Sequence, residues 1–391
     1  MATMEEKTTP TSVGSLDEPK EASESTKTED QPHTSHDDKE VFITGIKLYA
    51  VICAVTLVAF LMLLDMSIIA TAIPRITTQF HSLPDVGWYG ASYLLASCSL
   101  QPLAGKIYTI FNNKWTFLIF FSVFELGSLI SGVATSSNML IVGRAIAGMG
   151  SAGMTNGALT IIAACVPLQK RPIYLGFMMA TAQTGIILGP LIGGLLTQYT
   201  TWRWCFYINL PLGGLVAAML ILISIPDKRA KSDEKLTYRT VAAKMDLLGF
   251  VVFAPAAIQC LLALEWGGTR YRWSSPTIIG LFCGAAGTLA LFLFVEYRKG
   301  DSAMVPFFMI RQRIIACSSV LMFFFAGSMF ILTYYLPIYF QAVRGATPTM
   351  SGVYLLPSVL TQIIFAMSSG AMGTSQSHTV QARILITSSS Y

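Results

Sequence analysis

Residues 176–214 read GFMMATAQTGIILGPLIGGLLTQYTTWRWCFYINLPLGG, and glycine recurs every four residues at Gly185, Gly189 and Gly193. In an α-helix this spacing places the three glycines on one face, where a neighbouring helix can approach to backbone distance. Pro190 predicts a bend, because it removes a backbone N–H and its ring clashes with the carbonyl one turn earlier. A bent, apolar helix with a smooth face is typical of a segment that moves against a partner inside a bilayer.

The composition indicates a membrane protein with a charged tail. Of the 391 residues, 53% are hydrophobic and 12% are charged, and the mean hydropathy is +0.59; soluble domains carry about 25% charged residues. Eleven of the 21 acidic residues precede residue 41, so the remainder of the chain is basic. This predicts an acidic tail on a body that contacts anionic lipid, and it excludes nucleic acid as a partner, because the basic residues lie in short loops between apolar runs.

Long apolar runs follow the tail, and each is close to the ~20 residues that cross a bilayer as a helix. Their hydrophobicity does not alternate, which favours helices over barrel strands. The predicted fold class is therefore all-α, a polytopic membrane protein. Ten segments are predicted, at 46–70, 86–107, 115–134, 139–163, 172–195, 204–225, 246–266, 276–297, 315–340 and 350–372.

The lysines and arginines of the loops predict the orientation of the chain. Loops on the side of the N-terminus hold 14 of these residues, and the opposite loops hold five. Because cytoplasmic loops are enriched in lysine and arginine, the N-terminus is predicted to be cytoplasmic.

Four motifs in register with these segments carry a family resemblance. They are LDMSIIATAIPRI at 64–76, GKIYTIFNNKW at 105–115, GRAIAGMGSAGMTNG at 143–157 and GIILGPLIGG at 185–194. In this order they resemble the major facilitator superfamily, in particular its fourteen-helix drug:proton antiporter family and the fungal branch that exports toxins and drugs. The resemblance implies a major-facilitator-type helix bundle of which about 10 of 14 transmembrane helices are present.

Composition and the resemblance together divide the chain into six ranges. These are a disordered acidic cytoplasmic tail (1–42), a first six-helix bundle (43–226), a cytoplasmic linker (227–245), two linker helices (246–300), a partial second bundle of two helices (301–373) and an atypical polar tail (374–391). Because the chain leaves the family pattern after about Gly373, we expect a premature end. We also expect the helices that would meet the glycine face of residues 185–193 to be missing.

Three ionisable residues are candidates for proton coupling. Asp65 and Glu125 lie within apolar segments, where an ionisable side chain usually faces a cavity or a partner. Arg144 stays protonated, so it would hold a nearby acid ionised rather than carry the proton itself. The resemblance associates this arginine with proton coupling, and its acid partner is left open between Asp65 and Glu125. The alternatives are local capping by Asp65, helix pairing by Arg144 and a structural hydrogen bond from Glu125.

Further residues are assigned by motif. Asn156, Gln183 and Tyr334 are predicted to line the substrate cavity. The resemblance makes Gly185, Gly189, Pro190, Gly193 and Gly194 an antiporter motif. Gly148, Gly150 and Gly153 match a dinucleotide fingerprint, but they lie inside a membrane helix and are predicted to permit close helix packing. Gly105, Lys106 and Lys114 form a cytoplasmic loop motif, which departs from the family pattern because Thr109 stands at its acidic position.

The predicted function is proton-coupled export of small organic compounds such as drugs, toxins or secondary metabolites. One alternative is a proton symporter for iron–siderophore complexes, and a second is a non-transporting short form that binds a full-length carrier. An enzyme is not expected, because no nucleophile elbow surrounds Ser151 and no metal-ligand spacing occurs among the histidines and cysteines. We predict no cofactor or metal, a monomer, and a plasma-membrane location, with the vacuolar membrane left open.

Overall fold

The computed structural model describes residues 45–223, 225, 245–300, 303–304, 308 and 311–345, and isolated positions from 350 to 368. Within this described part every long element is an α-helix and no β-strand is present. The predicted all-α class is therefore confirmed. The predicted tails at 1–42 and 374–391 and most of the linker at 227–245 lie outside the described residues.

Ten α-helices are described in these ranges. They are α1 (Ile46–Phe80), α2 (Val86–Ile110), α3 (Asn113–Gly132), α4 (Ser137–Cys165), α5 (Arg171–Tyr199), α6 (Trp204–Tyr207), α7 (Asn209–Leu222), α8 (Leu247–Trp266), α9 (Pro276–Lys299) and α10 (Arg313–Ala342). Short 3-10 turns precede α2 at Leu83–Asp85 and α5 at Leu168–Lys170.

The helices follow the predicted segments, except that the first helix is longer and the sixth segment is divided. α1 continues ten residues beyond its predicted end at residue 70, because the prediction followed the apolar run, whereas the helix goes on through the more polar stretch 71–80 and ends at left-handed His81. Within this stretch Thr77 and Thr78 donate to the carbonyl oxygens of Ile73 and Pro74. The predicted sixth segment is divided into α6 and α7 at Ile208. The predicted tenth segment, 350–372, is described only at isolated positions.

Six of the described helices are long and apolar enough to cross a membrane: α1, α3, α5, the α6–α7 unit, α8 and α9. The helices α2 and α4 have 25 and 29 residues and suffice in length. Glycine, serine and other polar residues lower their hydropathy, and many of these residues are covered by other helices of the bundle.

The glycine face of α5 packs on α1. A Cβ atom placed on Gly185 would lie 2.6 Å from the carbonyl oxygen of Phe60, and one on Gly193 would lie 2.8 Å from the carbonyl oxygen of Ile68. The hydroxyl of Ser67 donates to the Gly185 carbonyl at 3.1 Å and joins the two helices. The expectation that this face lacks its partner helix is therefore wrong, because α1 covers it. We call this contact the α1–α5 seam.

The rest of the predicted antiporter motif lies off the seam. A Cβ atom on Gly194 would meet nothing within 4 Å, and Pro190 is exposed. The helix α5 continues through Pro190 to Tyr199.

Three glycines bring α4 close to two neighbours. A Cβ atom on Gly148 would lie against the backbone of Tyr93 in α2, and one on Gly150 would lie 2.7 Å from a carbonyl oxygen of α3. Gly153 faces the ring of Phe120, also in α3. These contacts hold α2, α3 and α4 together around a core that includes Phe117, Phe121 and Phe124 of α3.

The helices α8 and α9 form a hairpin whose two ends meet at Asp246. This buried residue caps α8, accepting from the backbone N–H groups of Gly249 and Met304, each at 2.9 Å, and it pairs with Lys299 at the end of α9. Burial raises the pKa of Asp246, but the hydrogen bonds that Asp246 accepts outweigh this effect and hold its pKa below the usual range. The ionised carboxylate therefore ties the two helix ends together.

Candidate functional site

The candidate site is centred on a buried ion pair between α1 and α4. Arg144 donates through one terminal nitrogen to Oδ2 of Asp65 at 2.5 Å. Asp65 is 0% exposed and Arg144 is 1% exposed. Of the two acids that the sequence left open as partners of Arg144, the structure places Asp65 in contact. A charge pair of this kind is costly to bury, so both charges need further hydrogen bonds.

Arg144 makes its remaining contacts with α2 and α6. Its Nε donates to the carbonyl oxygen of Tyr89 at 3.1 Å. The guanidinium carbon lies 4.5 Å from the ring centre of Tyr93 and 5.9 Å from that of Phe206. Aromatic faces at these distances stabilise a cation that is removed from water. The arginine is thus fixed by a carboxylate, a carbonyl and two rings.

The second oxygen of Asp65 is held by a residue that the sequence analysis missed. Nδ2 of Asn209, the first residue of α7, donates to Oδ1 of Asp65 at 3.1 Å and to Oγ of Ser128 in α3 at 3.3 Å. Asn209 and Ser128 are both buried. A lone amide inside an apolar run, two residues before Pro211, was the available signal. The Asp65 carboxylate therefore joins α1, α4 and α7, and Asn209 extends this network to α3.

Glu125 lies on α3 one turn before Ser128. Its two carboxylate oxygens are buried and have no hydrogen-bond partner among the described residues. A Cβ atom on Gly213 of α7 would lie against this carboxyl group, so the acid fills the space that the glycine leaves. An acid in this position requires a bound proton or a cation that the described residues do not supply.

Of the three predicted cavity residues, the structure describes the side chains of two. Asn156 donates to the carbonyl oxygen of Gln101 in α2 at 2.9 Å, which is a bond between neighbouring helices. Gln183 is half-buried on α5. Tyr334 belongs to α10, and its side chain lies outside the described part.

The predicted cytoplasmic loop motif contains a helix cap. Lys114 donates to the carbonyl oxygens of Ile221 and Ile223 at the end of α7, each at 2.8 Å. A cation is stabilising at the C-terminal end of a helix, where the last carbonyl groups lack intrahelical partners. Lys106 is half-buried, and a Cβ atom placed on Gly105 would lie 3.8 Å from the amide nitrogen of Asn156.

Comparison with known proteins identifies relatives for most of the chain. The family profile described as Major Facilitator Superfamily matches residues 55–389, a range that includes most of the polar segment 374–391. The MFS-type transporter pigP of Monascus ruber is 57% identical over 339 residues, which cover 87% of this chain and 60% of the relative. The efflux pump mlcE of Penicillium citrinum is 54% identical over 342 residues, which cover 85% of this chain and 62% of that protein.

A solved structure shares the fold. The proton:xylose symporter XylE, bound to 6-bromo-6-deoxy-D-glucose, matches with a TM-score of 0.56 at 15% sequence identity, over 83% of this chain and 68% of the symporter. The resemblance read from the four sequence motifs is confirmed by these matches. The chain spans about three fifths of the length of the curated relatives that it matches.

Proposed function

Because the chain belongs to the Major Facilitator Superfamily, a family of multi-pass membrane transporters rather than enzymes, we propose that it exports small organic compounds in exchange for protons. Drugs, toxins and secondary metabolites are the proposed substrates. We place the chain as a monomer in the plasma membrane, with a cytoplasmic N-terminus. The observation that carries the proposal is the buried ion pair of Asp65 and Arg144 inside a bundle of membrane-spanning helices.

The chemistry of this pair suits proton coupling. A proton on Asp65 removes the negative charge that compensates Arg144, and an uncompensated buried cation is strongly destabilising. The pair joins α1 to α4, so its neutralisation favours a different arrangement of these helices. Glu125 offers a second carboxyl group beside the same network.

The α1–α5 seam supports the alternating-access part of the proposal. Gly185 contacts α1 at Leu64, directly beside Asp65, and the seam continues for two further turns to Gly193. A face without side chains lets two helices shift against each other without exchanging interlocked side chains. A change of charge at Asp65 can therefore be accompanied by a shift of α1 along α5.

Export by cells tests this function. The full 391-residue chain is expressed in a yeast strain that lacks its own drug exporters, and retention of a fluorescent amphipathic cation is followed at external pH 5 and pH 8. We expect faster loss of the dye at the acidic pH than in the empty strain. Equal loss from both strains for a panel of cationic, neutral and anionic compounds would refute the proposal. Uptake of a ferric siderophore, or co-purification with a full-length relative without export, would favour the two alternatives instead.

A further inference from the structure

The side-chain oxygen of Asn209 makes no hydrogen bond within the described part of the chain. Its Nδ2 donates to Asp65 and to Ser128, while its Oδ1 is buried without a hydrogen-bond partner among the described residues. Buried acceptors are nearly always satisfied, so an empty acceptor beside a titratable group requires an explanation. A side-chain amide carries two donors and an acceptor on the same planar group, and a half-turn exchanges them.

The position of Arg144 determines which oxygen of Asp65 can take a proton. Arg144 lies on Oδ2, and a guanidinium at 2.5 Å keeps a proton from that atom. Oδ1 is the remaining position, and Asn209 is its hydrogen-bond partner among the described residues. Once protonated, Oδ1 carries an O–H donor that points at the NH2 group of Asn209, and two donors cannot bond to each other.

We propose that Asn209 is a positioning residue that turns its amide when Asp65 gains or loses a proton. With Asp65 ionised, Nδ2 donates to the carboxylate, as in the structure. With Asp65 protonated, Oδ1 of Asn209 accepts from the new O–H group. The half-turn also moves Nδ2 away from Ser128, so the hydrogen bond that it donates to Ser128 is lost. The empty acceptor is thus the partner of the protonated acid. This inference rests on the proposed function, in which Asp65 exchanges protons.

The same turn would carry the charge state of Asp65 to α3. Ser128 accepts from Asn209 in the ionised state and lies one turn from Glu125. The titratable or charged groups around Asp65 come from four helices: Tyr93 of α2, Glu125 of α3, Arg144 of α4 and Cys205 of α6. The neighbour on α5 is the glycine face, which carries no charge.

Infrared difference spectroscopy tests the amide turn directly. The full chain is purified in detergent and compared at acidic and neutral pH, with and without 13C on the asparagine side chains. The sequence holds five asparagines, so the labelled signal is simple. We expect a protonated-carboxyl band that Asp65→Asn removes, and a labelled asparagine carbonyl band that shifts with the same pH midpoint. Asn209→Leu should abolish the asparagine shift, and Asn138→Leu, at an exposed position of α4, should keep it.

The outcomes separate the two proposals. An Asp65-dependent carboxyl band without any asparagine shift overturns the role of Asn209 and leaves the proposed function standing. The absence of an Asp65-dependent band at every pH overturns the proposed function and this inference with it. If Asn209→Leu does not fold, the labelled wild-type chain decides alone, because a silent asparagine carbonyl contradicts the turn.

Discussion

Replacing Arg144 with leucine leaves Asp65 as a buried carboxylate without its countercharge. Both side chains are almost completely inaccessible and joined at 2.5 Å, so the remaining charge cannot reach water without moving a helix. Removing one partner of a buried pair costs about 3–5 kcal/mol. We expect Arg144→Leu to cost about 4 kcal/mol of the free energy of unfolding, and Asp65→Leu a similar amount. The double replacement should lie within roughly 1 kcal/mol of the wild type, because two apolar side chains leave no uncompensated charge.

A double-mutant cycle on the purified chain measures these terms. The free energy of unfolding is followed in a mild detergent, by titration with a denaturing detergent, for the wild type, both single variants and the double variant. The matched control is Asn138→Leu, an exposed substitution on α4 that should cost less than about 0.5 kcal/mol. Single variants that cost less than about 1 kcal/mol, or costs that simply add in the double variant, would refute the assignment of a compensated buried pair.

Three further predictions concern the packing and capping of the bundle. Gly189→Leu should destabilise the chain by at least about 1–3 kcal/mol, because its side chain would enter the α1–α5 seam, whereas Gly194→Leu, at an open position, should be nearly neutral in the same unfolding titration. Lys114→Met should cost about 0.5–1 kcal/mol by uncapping α7, and hydrogen exchange at the end of α7 would detect it. The pKa of Asp246 is lowered in the folded state, so its ionised pair with Lys299 stabilises the chain above about pH 4 and loses this effect as the pH falls further. The free energies of unfolding of the wild type and Asp246→Asn should therefore converge at acidic pH. A difference between them that stays constant with pH would contradict the pairing.

Helix positions were predictable from the sequence because bilayer-length apolar runs impose them. The segments from 46 to 340 correspond to described helices, and the deviations have local causes. The extension of α1 to Phe80 runs through a more polar stretch, so the apolar run ends before the helix does and hydropathy does not indicate the extension. The division at Ile208 lies inside one apolar run, so composition carried no sign of it.

Partners across helices were less predictable, because they depend on how distant segments meet. The sequence indicated that Arg144 needs an acid, but the choice between Asp65 and Glu125 depends on how α1 and α3 pack against α4. The contact of Asn209 with Asp65 was not predicted, because a lone asparagine is equally typical of the start of a helix and the two residues meet only in the folded bundle. The glycine spacing of α5 indicated a close contact, while the identity of its partner, α1, depends on tertiary packing.

Reconstituted protein tests whether the Asp65–Arg144 pair couples transport to protons. Liposomes containing the purified 391-residue chain are loaded with a substrate identified by the cell assay, and its efflux is measured with and without an acidic external medium. We expect the pH gradient to accelerate efflux at least about tenfold for the wild type, a difference of about 1.4 kcal/mol, and Asp65→Asn to show the same slow efflux under both conditions. Full acceleration by the gradient in Asp65→Asn would contradict this coupling.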